Sequence, residues 1–141
     1  MPEKQRRDER HAIRHQGTAD VHPVTAKTAS YSILEDDIGT TFTNRGDTDA
    51  ITFTLPVVTN LPVGWWCCVN AVDAFDVAVI SEGSSDNIVV LADKTADSVK
   101  WSTSGEIIGA GAKFLWDGTG WLVQGLNTWD NGTIVTTTTV A

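Results

Sequence analysis

From Tyr31 onward, apolar and polar positions alternate in short runs, and residues that favour turns break the runs every few positions. Ile51-Thr-Phe-Thr-Leu55 alternates strictly, which predicts a half-buried strand with Ile51, Phe53 and Leu55 on its inner face. Pro56 ends it, because proline has no N–H to give to a ladder. The same reasoning predicts strands at 31–34, 40–43, 77–80, 88–91 and 99–103. Trp65-Trp-Cys-Cys-Val69 is the most apolar run and predicts a central strand. Lys113–Trp116 and Trp121–Gln124 flank Asp117-Gly-Thr-Gly120, a hairpin signal, because glycine adopts the positive φ that such turns need. Trp116 and Trp121 are then expected to face each other across the hairpin. The tail 133–140 is β-branched nearly throughout and predicts a closing strand or extended arm behind the turn Asn131-Gly132. Glu35-Asp-Asp37 with Gly39, Asn44–Asp47 and Gly83–Asp86 are expected turns, and the polar stretch 92–98 an expected loop.

About nine or ten short strands, with no helix of convincing length beyond residue 16, predict an all-β fold. A β-sandwich or a jelly-roll-like barrel fits this pattern. The pattern changes before Tyr31. Residues 1–29 form a charged N-terminal arm and linker, and 30–141 form the β domain. The arm holds good helix formers, but Ala12 and Ile13 are the only apolar residues between 3 and 16, so it is expected to be extended or partly helical without a core of its own.

Charge sharpens this division. The whole chain carries −8, yet residues 1–29 hold six Lys or Arg against four acids, a balance of +2, which leaves −10 on the rest. An acidic body repels phosphates, so nucleic acid is not an expected partner. No run approaches the roughly 20 apolar residues that span a bilayer, and no membrane partner is expected. The charged N-terminus lacks a secretory h-region.

Candidate chemistry is sparse. All three histidines (His11, His15, His22) precede the β domain, and its carboxylates fall in turns, where Asp serves the backbone. No enzymatic activity, cofactor or metal is expected. His11 and His15 have metal-ligand spacing but neither an intervening glutamate at the required position nor a third ligand. Glu35–Asp37 and Asp47/Asp49 lack the ligand spacing of a calcium loop. Gly109-Ala-Gly-Ala112 has the glycines of a phosphate cradle but leads into a strand. Arg45-Gly46-Asp47, the tripeptide that integrins read, sits where the domain needs a turn. Cys67 and Cys68 are adjacent, point to opposite faces of a strand and are expected as free thiols.

Six tryptophans (65, 66, 101, 116, 121, 129) carry the most information. Trp65 and Trp66 cannot both face inward on one strand, and an outward tryptophan favours subunit contact or carbohydrate stacking.

The order of these pieces resembles a β module of virion structural proteins of tailed bacteriophages, found in capsid decoration (cement) proteins and in tail-fibre or spike modules. The pieces are Ser32-Ile-Leu-Glu-Asp-Asp-Ile-Gly39, Phe42-Thr-Asn44, Ile51-Thr-Phe-Thr-Leu-Pro56, Gly64-Trp-Trp66, Ile107-Ile-Gly109 and Trp116-Asp-Gly-Thr-Gly-Trp121, and they cover about residues 31–125. The resemblance implies a virion structural protein, often trimeric, on the capsid exterior and made in the host cytoplasm. A short charged arm in place of a fibre shaft favours a small decoration protein that stabilises the shell as a homotrimer. Its expected partners are the major capsid protein and itself. The expected capsid or subunit contacts are Arg6, Arg7, Arg10 and Arg14 in the arm, with Trp65 and Trp66 on the domain. The alternative is a tail-fibre or spike component that binds a host surface glycan through Trp65, Trp66 or Trp129.

Overall fold

The computed structural model describes residues 21–83, 87–102, 107–127 and 133–137, and in them the alternating segments become twelve strands. In chain order these are β1 (Val24–Ala26), β2 (Tyr31–Ser32), β3 (Thr41–Thr43), β4 (Ile51–Thr54), β5 (Trp66–Asn70), β6 (Val77–Ile80), β7 (Ile88–Val90), β8 (Asp93–Ala96), β9 (Ser98–Ser102), β10 (Gly111–Trp116), β11 (Trp121–Asn127) and β12 (Thr133–Thr137). They build a seven-stranded sheet of order β1-β3-β5-β10-β11-β7-β8 and a five-stranded sheet of order β12-β9-β6-β4-β2. The fold is all-β, a two-sheet sandwich.

From β1 to β6 the chain changes sheet at every connection: odd strands lie in the larger sheet and even strands in the smaller. Each crossing reverses direction, so two crossings bring the chain back to its first sheet running as before. That is why β1–β3, β3–β5, β2–β4 and β4–β6 are all parallel. Hairpins appear later, at β7–β8 and β10–β11.

The inward residues of the two sheets meet in one core. Phe42 on β3 and Phe53 on β4 bring their rings to 5.6 Å across the gap between sheets, and Tyr31 reaches Phe42 at 5.5 Å. The hairpin packs as its sequence predicts: Trp116 pairs with Trp121, ring centroids 5.3 Å apart, and Trp65 meets Trp121 edge-on at 5.8 Å. In the turn, the Asp117 carboxylate accepts hydrogen bonds from the backbone N–H groups of Thr119 (2.8 Å) and Gly120 (2.7 Å). Gly118 has φ +97°, which a Cβ would strain.

Two features depart from the expected pattern. The stretch expected as a loop at 92–98 contains β8, antiparallel to β7 at the edge of the larger sheet. The turn before it is Leu91-Ala92, with φ +44° and +67°, a conformation usually announced by Asn or Gly and here carried by neither. The linker before Tyr31 is extended, and it also supplies edge strand β1, held by hydrogen bonds from Thr41 N–H to the Pro23 carbonyl and from Lys27 N–H to the Thr43 carbonyl. The turn at Gly83–Asp86 lies partly, and that at Asn131-Gly132 wholly, outside the described residues.

Candidate interaction surface

The alternation of β5 decides between the two adjacent tryptophans. Trp65 is 1% exposed, and its indole N–H donates to the Glu35 carbonyl at 2.9 Å. It is a core residue, which corrects its expected place among the contact residues: an indole buried against Trp121 has no surface to offer. Trp66 is the outward one and is half-buried. Register places Leu115 beside Trp66, Leu122 beside Leu115 and Val89 beside Leu122, so these half-buried side chains form one apolar row across four strands of the outer face. The Trp66 ring already has partners. The Lys113 ammonium lies 4.6 Å from its centroid, and His22 meets it at 75° with centroids 5.6 Å apart.

Four aliphatic residues between 21 and 38 are exposed. Val21 is 75% exposed, Val24 66%, Leu34 58% and Ile38 50%. β1 pairs in parallel with β3, Val24 opposite Thr41. Leu34 and Ile38 bracket the 3-10 turn Glu35–Asp37. This turn is firmly held: Asp37 accepts from the Tyr31 hydroxyl (2.8 Å) and the Leu34 N–H (2.9 Å), and Gly39 N–H donates to the Trp66 carbonyl (2.8 Å). Glu35 and Asp36 are exposed. The turn thus carries exposed Leu34 and Ile38 at its two ends with the Glu35 and Asp36 carboxylates between them, while Val21 and Val24 are exposed in and just before β1. Strand patterning does not mark these residues, because Val21 and Val24 belong to the linker and Leu34 and Ile38 to a turn. The available signal was Leu34 and Ile38 flanking three acids.

Of the other expected contact residues, Arg6, Arg7, Arg10 and Arg14 lie outside the described residues, as do His11, His15 and Trp129. Among the described residues no group of three or more His, Cys, Asp or Glu is placed to hold a metal.

The remaining motifs resolve into structure. Asn44 is fully buried and ties two loops together. Its amide N–H donates to Asp47 (3.0 Å) and to the Asp73 carbonyl (3.1 Å), while its side-chain oxygen accepts from the N–H groups of Val72 (2.6 Å) and Asp73 (3.0 Å). Asp47 is 6% exposed, so the Arg45-Gly46-Asp47 tripeptide does not present its carboxylate. One oxygen of that carboxylate has no hydrogen-bond partner. Burial pushes its pKa up, the Asn44 hydrogen bond opposes this, and the Asp73 and Asp49 charges add to the rise.

Cys67 faces the core and Cys68 the outer face; both are free. Burial raises both thiols, Cys67 far up, while a hydrogen bond from Thr41 and the Lys113 charge partly offset the effect at Cys68. A shallow cleft of about 460 Å³ lies beside the β7–β8 turn, lined mainly by aliphatic side chains with Asp93 and Lys94 as its charged members. Two lone opposite charges do not make an acid–base pair aimed at a substrate.

No family model matches this chain, and no curated protein matches it.

Proposed function

We propose that the chain is a bacteriophage virion structural protein, a capsid decoration protein that binds the outer shell as a homotrimer and stabilises it. The observation that carries this reading is the exposure of four aliphatic side chains, Val21, Val24, Leu34 and Ile38, in the segments that follow a basic arm. Apolar side chains that are half or more exposed favour burial against another protein. The order of the motif pieces supports the same reading: Ile51-Thr-Phe-Thr and Trp116-Asp-Gly-Thr-Gly-Trp121 are the strand and hairpin that the phage module's pattern implies.

The glycan-binding alternative is the weaker one. A sugar stacks on an open indole face, and of its candidate platforms Trp65 is buried while Trp66 is engaged by Lys113 and His22. In the decoration reading the arm arginines pair with acids of the shell or of a neighbouring subunit. Exposed ion pairs contribute little singly, so attachment rests on many arms acting together and on burial of the exposed aliphatic side chains.

The deciding measurement is the composition of purified virions. A decoration protein is present in numbers comparable with the major shell protein, and particles lacking it lose their contents at lower temperature. A copy number matching a single tail structure, with shells of unchanged thermal stability, overturns the reading.

A further inference from the structure

The edge strands of the two sheets are not equally open. β2 is two residues long and runs towards the 3-10 turn, where Asp37 takes the Leu34 N–H. At β8 the Asp93 carboxylate accepts from the Thr95 N–H (2.9 Å) and hydroxyl (3.2 Å), so a side chain of the strand occupies one of its own backbone donors. β1 has no such cover. Its contacts with β3 include hydrogen bonds from Thr41 N–H to the Pro23 carbonyl and from Lys27 N–H to the Thr43 carbonyl. Backbone groups of successive strand residues point to alternate sides. Thr25 therefore also faces β3, and the N–H and C=O groups of Val24 and Ala26 face away from the sheet. Val24 is 66% exposed, and Ala26 is exposed as well. Lys27, the charge next to them in sequence, lies over the Tyr31 ring, 3.7 Å from its centroid. An uncharged edge with open donors and acceptors is a template for another strand.

The placing of these open groups selects the partner. They lie on the residues either side of Thr25, so a second β1 running antiparallel about a twofold axis at Thr25 sets Val24 of each copy opposite Ala26 of the other. Both become closely hydrogen-bonded pairs, each exchanging N–H···O=C bonds in both directions, with the Thr25 residues as the non-hydrogen-bonded pair between them. Every open donor then meets an open acceptor. The same register sets Lys27 opposite Pro23 and His22 opposite Thr28, so no like charges are opposed. We propose that β1 pairs antiparallel with β1 of a second copy of this chain and joins the two larger sheets into one. The contact is isologous, the same patch on both copies. It is short and therefore weak singly, and it gains strength where copies are already held side by side. A twofold contact does not close a trimer. On a shell it links one trimer to the next, so the inference goes beyond the proposed function and does not rest on it.

The experiment is air oxidation of the full chain carrying Thr25→Cys in a Cys68→Ser background, which removes the partly exposed native thiol, followed by non-reducing electrophoresis. In a non-hydrogen-bonded pair the Cα atoms are about 4.5 Å apart, within reach of a disulfide, so covalent dimers are expected. Ala26→Cys in the same background is the control. Each Ala26 sits opposite Val24 of the other copy, and its symmetry mate lies about 7–8 Å away on the diagonal, too far for a bridge. Dimers are expected to form at least tenfold faster from position 25 than from position 26. Adding Ala26→Pro to Thr25→Cys removes an open N–H without breaking a bond to β3, a change that edge strands tolerate, and is expected to slow cross-linking at least tenfold. Tryptophan fluorescence checks that the variants fold. Equal rates at the two positions, a rate unmoved by Ala26→Pro, or no dimer from position 25 overturns the pairing; the last leaves the edge to a strand of another protein. None of these outcomes touches shell binding, which virion composition tests separately.

Discussion

Two side chains separate what a residue type suggests from what its setting permits. Asp47 reads as a turn residue or half of an adhesion tripeptide, and the fold buries it with one oxygen unpaired. Its raised pKa means that the native state holds the proton more tightly than the unfolded chain does. Stability from this site is therefore greatest below the ordinary Asp value, near ~3.9, and declines as pH rises through the raised one. Asp47→Asn removes that decline. It is expected to raise stability by about 1 kcal/mol near neutral pH and to converge with wild type in acid, as thermal melts across pH will show. The adjacent thiols make the second case. Alkylation of the native protein is expected to label Cys68 slowly and Cys67 only after denaturation, because one faces out and the other is fully buried. Equal labelling rates for the two would contradict this assignment. Adjacency in a strand was enough to predict opposite faces; which thiol faced inward needed the second sheet.

At the scale of elements, the hairpin Trp116–Trp121 was legible because its turn, its pairing and its aromatic contact all follow from local chemistry. β8 was not legible: Asp93-Lys-Thr-Ala96 has no apolar alternation, and it is a strand only because β7 offers an open edge. The turn joining them holds Leu91 and Ala92 at positive φ, which costs non-glycine residues about 1 kcal/mol or more each. Ala92→Gly is therefore expected to stabilise the protein by about 0.5–1 kcal/mol, net of glycine's greater freedom when unfolded. An unchanged or lower denaturant midpoint would show that the turn relaxes instead. Gly111 is the opposite case. Sequence marked it as half of a false phosphate cradle, and the structure uses it for close approach: a Cβ there would collide with the Val69 carbonyl and the Asn70 side chain. Backbone cannot give way as a flexible side chain can, so Gly111→Ala is expected to cost about 3 kcal/mol or more, from overpacking and distortion of the β5–β10 pairing. Recovery of soluble protein and its chemical denaturation curve provide the check.

Across the whole molecule, the winding between sheets sets the order in which the chain can fold. Parallel neighbours such as Thr41 with Cys68, and antiparallel ones such as Cys68 with Lys113, are far apart in sequence, so loop closure must precede most pairing. Refolding followed by tryptophan fluorescence is expected on the millisecond-to-second scale of non-local β folds; microsecond refolding would show that the pairing order is misjudged. By itself the sequence determined the all-β class, ten of the twelve strands, the hairpin, the charge division between arm and body, and the rule that only one of Trp65 and Trp66 faces inward. These follow from period-two alternation, turn chemistry and charge, which act over a few residues. Tertiary structure alone decided the parallel order, the strands β1 and β8, and the burial of Trp65 and Asp47. Each of these depends on which distant segment lies alongside, and that is fixed only when two sheets close over a common core.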